Sequence, residues 1–68
     1  MNTELFKTEI VAIRARHRSA AKAGVEVFLF IRSVLQQLEG TPVTREFKCA
    51  LRAELDEAFR GLKSASAR

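Results

Sequence analysis

Residues 27–31 read Val-Phe-Leu-Phe-Ile, and five large apolar residues in succession cannot share one side of a helix. At about 100° per residue, Val27 and Ile31 fall on one line with Val34. Phe28 lies on one flank with Leu35 above it, and Phe30 lies on the other flank beside Val34. Leu29 points nearly away, as do Val25 and Val11. A single neighbouring helix cannot cover this circumference. A helix that is apolar nearly all round belongs in the middle of a bundle, so whatever this chain folds into must place helices on more than one side of residues 27–31.

The rest of the chain supplies helices and no strands, because the alternation of period two that marks a half-buried strand is absent. Phe6, Ile10, Ile13, His17, Ala20, Gly24, Val27, Ile31, Val34 and Leu38 follow one another at steps of three and four, the pattern of an interhelical seam. It predicts one long first helix over about 3–39. Gly40-Thr41-Pro42 interrupts it. Gly40 suits the left-handed position after a helix, and Thr41 with Pro42, or Thr44 one turn later, suits the start of the next. A turn over 40–43 and a second helix over about 44–62 follow, with the stripe Phe47, Leu51, Leu55, Ala58, Leu62. Residues 63–68 lack periodicity and are expected to fray. The expected fold class is all-α, a helix–turn–helix hairpin.

Size then sets the stabilisation problem. A chain of 68 residues is one domain, near the lower limit for a self-sufficient core. With one cysteine, Cys49, and one histidine, His17, it has neither an internal disulfide nor a Cys/His metal cluster, and no metal or cofactor is expected. A first helix roughly 55 Å long would overhang a second roughly 28 Å long, leaving Phe6, Ile10 and Ile13 uncovered. A second copy of the chain covers them, which predicts a homodimeric four-helix bundle with an interface of Phe6, Ile10, Ile13, Val27, Phe28, Phe30, Ile31 and Val34. Alternatively the first helix breaks near Gly24, and its N-terminal part folds back as a third helix.

The net charge of +4 points to an acidic partner. On a continuous first helix Lys7, Arg14, Arg18, Lys22 and Arg32 form one basic edge, interleaved with Val11, Val25 and Leu29. That edge is either a contact strip for an acidic protein surface or for phosphates, or a solubilising face. Single-stranded nucleic acid favours aromatic stacking platforms, which the edge lacks. His17 is either a polar residue that sets register in the seam or a pH-sensitive element of it. Ala20, Ala21, Ala23 and Gly24 form a smooth patch that allows close backbone approach. Cys49 falls on the polar face as a bystander thiol, and Glu46, Glu54, Asp56 and Glu57 read as a solvated face paired with nearby arginines. No Gly-rich phosphate loop, Ser/His/Asp set or metal constellation supports an enzyme. The longest apolar run is far short of the roughly 20 residues that span a bilayer, and Met1–Ile10 does not read as a signal peptide. A cytoplasmic location is expected.

In size, helix–GTP–helix layout and seam, the chain resembles small hairpin regulators of plasmids and phages. These include Rop-type RNA-binding dimers and phage anti-activators that silence host quorum-sensing regulators. It differs from Rop in its unequal helices and net basic charge. The resemblance implies a small non-enzymatic regulator that binds a protein target, such as a transcription regulator, and inhibits it. The alternative is a Rop-like RNA- or DNA-binding dimer using the basic edge.

Overall fold

A computed structural model describes residues 2–66 of the chain, with side chains through residue 63. It contains three helices, α1 (Thr3–Arg16), α2 (Ala20–Gln37) and α3 (Arg45–Ser66), and no strand among the described residues. They run up, down and up. Phe6 near the start of α1 stacks on Phe30 of α2 at 5.8 Å between ring centroids and lies 5.2 Å from Phe47 at the start of α3. At the other end Gly61 of α3 backs onto Ala20 at the start of α2.

The expected continuous helix over 3–39 is therefore two helices. The break falls at His17–Ser19, not at Gly24. His17 adopts extended backbone (φ −119°, ψ 137°), and Ser19 caps α2, its hydroxyl accepting from the Lys22 backbone N–H at 3.4 Å. Magnitudes explain the outcome. Folding α1 back buries Phe6, Ile10 and Ile13 almost completely, at roughly 1.5–3 kcal/mol for each large apolar side chain. Interrupting the helix forfeits a few backbone hydrogen bonds worth about 1 kcal/mol each, and the two new caps recover part of that. The seam residues thus find cover within one chain.

The turn region keeps its expected place with a different cap. Gly40 has φ +78°, and the Thr41 N–H donates back to the Leu38 carbonyl at 2.8 Å. Pro42 stands in the connection and does not open a helix. Thr44, the later of the two candidate caps, starts α3, its hydroxyl accepting from the Phe47 N–H at 3.1 Å. α3 runs on through Ser66, past the end expected near Leu62. Of the tail expected to fray, Ala67 and Arg68 lie outside the described residues.

The core consists of Phe6, Ile10 and Ile13 from α1, Val27, Ile31 and Val34 from α2, and Phe47 and Ala58 from α3. Toward the Ala20 end, side chains give way to backbone contact between α2 and α3. A Cβ on Gly24 would stand 2.9 Å from the Ala58 carbonyl oxygen, and one on Gly61 would stand 2.9 Å from that of Ala20. The smooth patch of α2 is met by a glycine of α3, and each helix supplies the small residue that the other's carbonyl requires.

Candidate functional site

Two antiparallel helices leave a furrow on each side of their contact line. α1 fills one furrow of the α2–α3 pair, and the other stays open. Its floor is formed by Ile31, Leu35 and Leu55 beside Phe28, and Arg32, Gln36 and Glu39 close its α2 side, around a space of about 390 Å³. Beyond Leu35 it continues into a second space of about 290 Å³ bounded by Leu38, Val43, Lys48 and Leu51. The Phe28 ring meets Phe59 of α3 edge-on at 5.7 Å, which closes the first end. Phe28, Leu35 and Phe59 are 38%, 49% and 53% exposed, and Leu29 and Val25 extend the apolar face over the outer side of α2. The open furrow has the apolar lining of a seat for one more helix.

This arrangement redistributes the residues expected to face a second copy. Phe6, Ile10, Ile13, Val27, Ile31 and Val34 are core residues of the single chain. Phe30 is half-buried against Phe6, and of the eight only Phe28 and the buried Ile31 line the furrow.

The basic edge is likewise divided, because it presupposed a straight first helix. Lys7 and Arg14 ride on α1, Arg18 is in the connection, and Lys22 and Arg32 are on α2. Arg14 points at α3, its Nη1 2.6 Å from the Glu54 carboxylate. Arg32 stands on the rim of the furrow. Lys7, Arg18 and Lys22 are exposed and share no surface with it.

Near the break, Glu26 of α2 holds the end of α1. Its carboxylate accepts from Arg16 Nη2 at 2.6 Å and from His17 Nε2 at 3.0 Å. The hydrogen bond from His17 is the main reason its carboxyl sits below the ordinary glutamate value of 4.5. Partial desolvation opposes the shift, and the Arg16 charge reinforces it. His17 is thus half-buried and paired across the connection. Cys49 is a free, exposed thiol. Among the described residues no His/Cys/Asp/Glu group could hold a metal ion, and no helix is long and apolar enough to cross a membrane.

Sequence reasoning named Phe28, Leu29 and Leu35 as apolar residues off the seam but did not join them to Phe59 and Leu55. The signal was present: Phe59 stands four residues after Leu55, just off the Phe47–Leu51–Leu55 stripe. No protein-family model, curated protein or solved structure matches this chain.

Proposed function

We propose that this protein is a small regulator that acts by binding, seating a helix of a target protein in the α2–α3 furrow. The observation that carries the proposal is the open furrow itself, with Phe28, Leu35, Leu55 and Phe59 along its length and no segment among the described residues covering it. In organisation the chain is of the kind seen in small regulators of phages and plasmids, so the proposed target is a transcription regulator or similar host protein. Occupying a helix that such a target uses for its own contacts would inhibit it. The Rop-like alternative draws less support, since the basic edge is split between helices and Arg14 is engaged by Glu54.

Affinity capture from cells of the source organism, with the bound protein identified, tests this. Capture should survive nuclease and be lost on Leu35→Asp or Phe59→Asp. It should persist on Val11→Asp, which places the same charge at a still more exposed apolar position, on α1. Loss under nuclease, or indifference to both furrow variants, would overturn the proposal.

A further inference from the structure

We infer that the furrow is built for an acidic amphipathic helix, one with an apolar stripe flanked by carboxylates, and not for a second copy of this chain. The inference rests on the helix-seating role proposed above and adds the chemistry of the occupant. The carrying observation is the charge of the rims. Arg32 lines the α2 side and Lys48 the α3 side. Arg52 follows Lys48 by four residues and precedes Phe59 by seven, and Lys63 follows Phe59 by four. Helical spacing therefore puts all three bases on the α3 edge that carries Phe59. All four basic residues are exposed, and none makes an ion pair among the described residues. Against them stand Glu39, on the α2 side with Arg32, and Asp56, which follows Arg52 by four residues and precedes Phe59 by three on the same α3 edge, so the rims carry four bases against two acids.

Among the chain's other acids, Glu4 and Glu46 line a neighbouring space beside the start of α1, and three more are already engaged. Glu54 is held by Arg14 on the side of α3 that faces α1, Glu26 by Arg16 and His17, and Glu57 lies beside Arg60. Carboxylates flanking the stripe of an incoming helix would meet Arg32 on one side and Lys48 and Arg52 on the other. A second copy docked by the same face would instead bring its own basic rims against these. Like charges facing each other across an interface oppose that pairing and leave the wrong partner unbound.

The floor between Phe28 and Leu38 is about 15 Å long, matching three turns of a bound helix. Apolar anchors at i, i+3 or i+4, and i+7 would reach the spaces beside Phe28, Leu35 and Leu51.

The test uses the full chain and two stapled helical peptides of roughly 18 residues. They share the same leucine stripe; one is flanked by glutamates, the other by lysines. Binding is followed by fluorescence anisotropy at about 50 mM and about 500 mM salt. The glutamate peptide should bind the protein at least about tenfold more tightly than the lysine peptide at low salt, and the preference should collapse at high salt. Arg32→Glu with Lys48→Glu should reverse the order of the two peptides. These side chains are exposed and unpaired, so circular dichroism should be unchanged; should the double variant unfold, the salt series on the native chain decides alone. If neither peptide binds, or if Leu35→Asp leaves binding intact, the furrow is not a helix seat and both proposals fail. If the lysine peptide binds as tightly, the seat stands and its acidic preference is overturned. A dimeric mass in sedimentation equilibrium that Leu35→Asp returns to monomer would make a second copy the occupant and overturn the inference.

Discussion

Arg14 and Glu54 meet at 2.6 Å across the gap between α1 and α3, and theirs is the one ion pair among the described residues that ties the first helix to the third. Both side chains are partly shielded, and the Arg14 Nη2 atom is buried without a hydrogen-bond partner. Removing the carboxylate leaves that guanidinium poorly compensated. Glu54→Gln should cost about 1 kcal/mol in urea denaturation, and Glu54→Arg more. The exchange Arg14→Glu with Glu54→Arg should recover part of the loss. A double variant no better than the sum of the singles would show that the pair contributes nothing of its own.

Phe6 sits between Phe30 and Phe47 with no exposed surface. Phe6→Ala should cost about 3–5 kcal/mol, a large part of the stability of so small a domain. Leu29→Ala, on the open face, should change stability by less than about 0.5 kcal/mol. Thermal melts at protein concentrations spanning two decades check both points. A melting temperature that rises with concentration, and stops doing so in Phe6→Ala, would mean that a second chain helps to cover Phe6.

Gly24 and Gly61 are steric requirements. Alanine gains about 1 kcal/mol of helix propensity over glycine, yet here its methyl would press on a backbone carbonyl at 2.9 Å. Gly24→Ala and Gly61→Ala should each destabilise the fold by about 1–3 kcal/mol. Either substitution raising the denaturation midpoint would show that the helices part without cost.

Acid should loosen the junction of α1 and α2. The folded-state pKa of Glu26 is lowered, chiefly by the hydrogen bond from His17. Its contribution is therefore fully present above the unfolded-state value and is lost as pH falls through the lower folded-state value. Stability of the native chain should decline below about pH 4.5 more steeply than that of Glu26→Gln. Parallel curves for the two would deny the hydrogen bond any role in the pH response.

The seam was legible because burial imposes its period wherever the chain turns. Phe6, Ile10 and Ile13, and Val27, Ile31 and Val34, stand at the spacing of one buried line and are all buried. The turn was legible too, since Gly40 takes the positive φ that its position suggests. The break at His17–Ser19 was not. Neither proline nor glycine marks it, and Ser19 has no acidic residue three places on to complete a capping box. Only the tertiary gain of burying α1 puts it there. That one break decided the site. With a straight helix the bases from Lys7 to Arg32 share an edge, whereas with a folded-back α1 they separate and an open furrow remains beside Phe28 and Leu35. Gly61 was missed because its role depends on which residue of α2 it meets.

The three-residue connection His17-Arg18-Ser19 also governs how α1 competes with an outside copy of itself for its own seat. So short a tether holds α1 near its groove at an effective concentration in the millimolar range. A second chain present at about micromolar concentration is outcompeted by roughly a thousandfold. The same sequence straightened through residues 17–19 would trade α1 between chains, and that exchange would have to unpack Phe6, Ile10 and Ile13 as well as break the Ser19 cap and the grip of Glu26 on Arg16 and His17. Exchange between chains should therefore respond to protein concentration and to Arg16, His17, Ser19 and Glu26, four residues outside the core cluster.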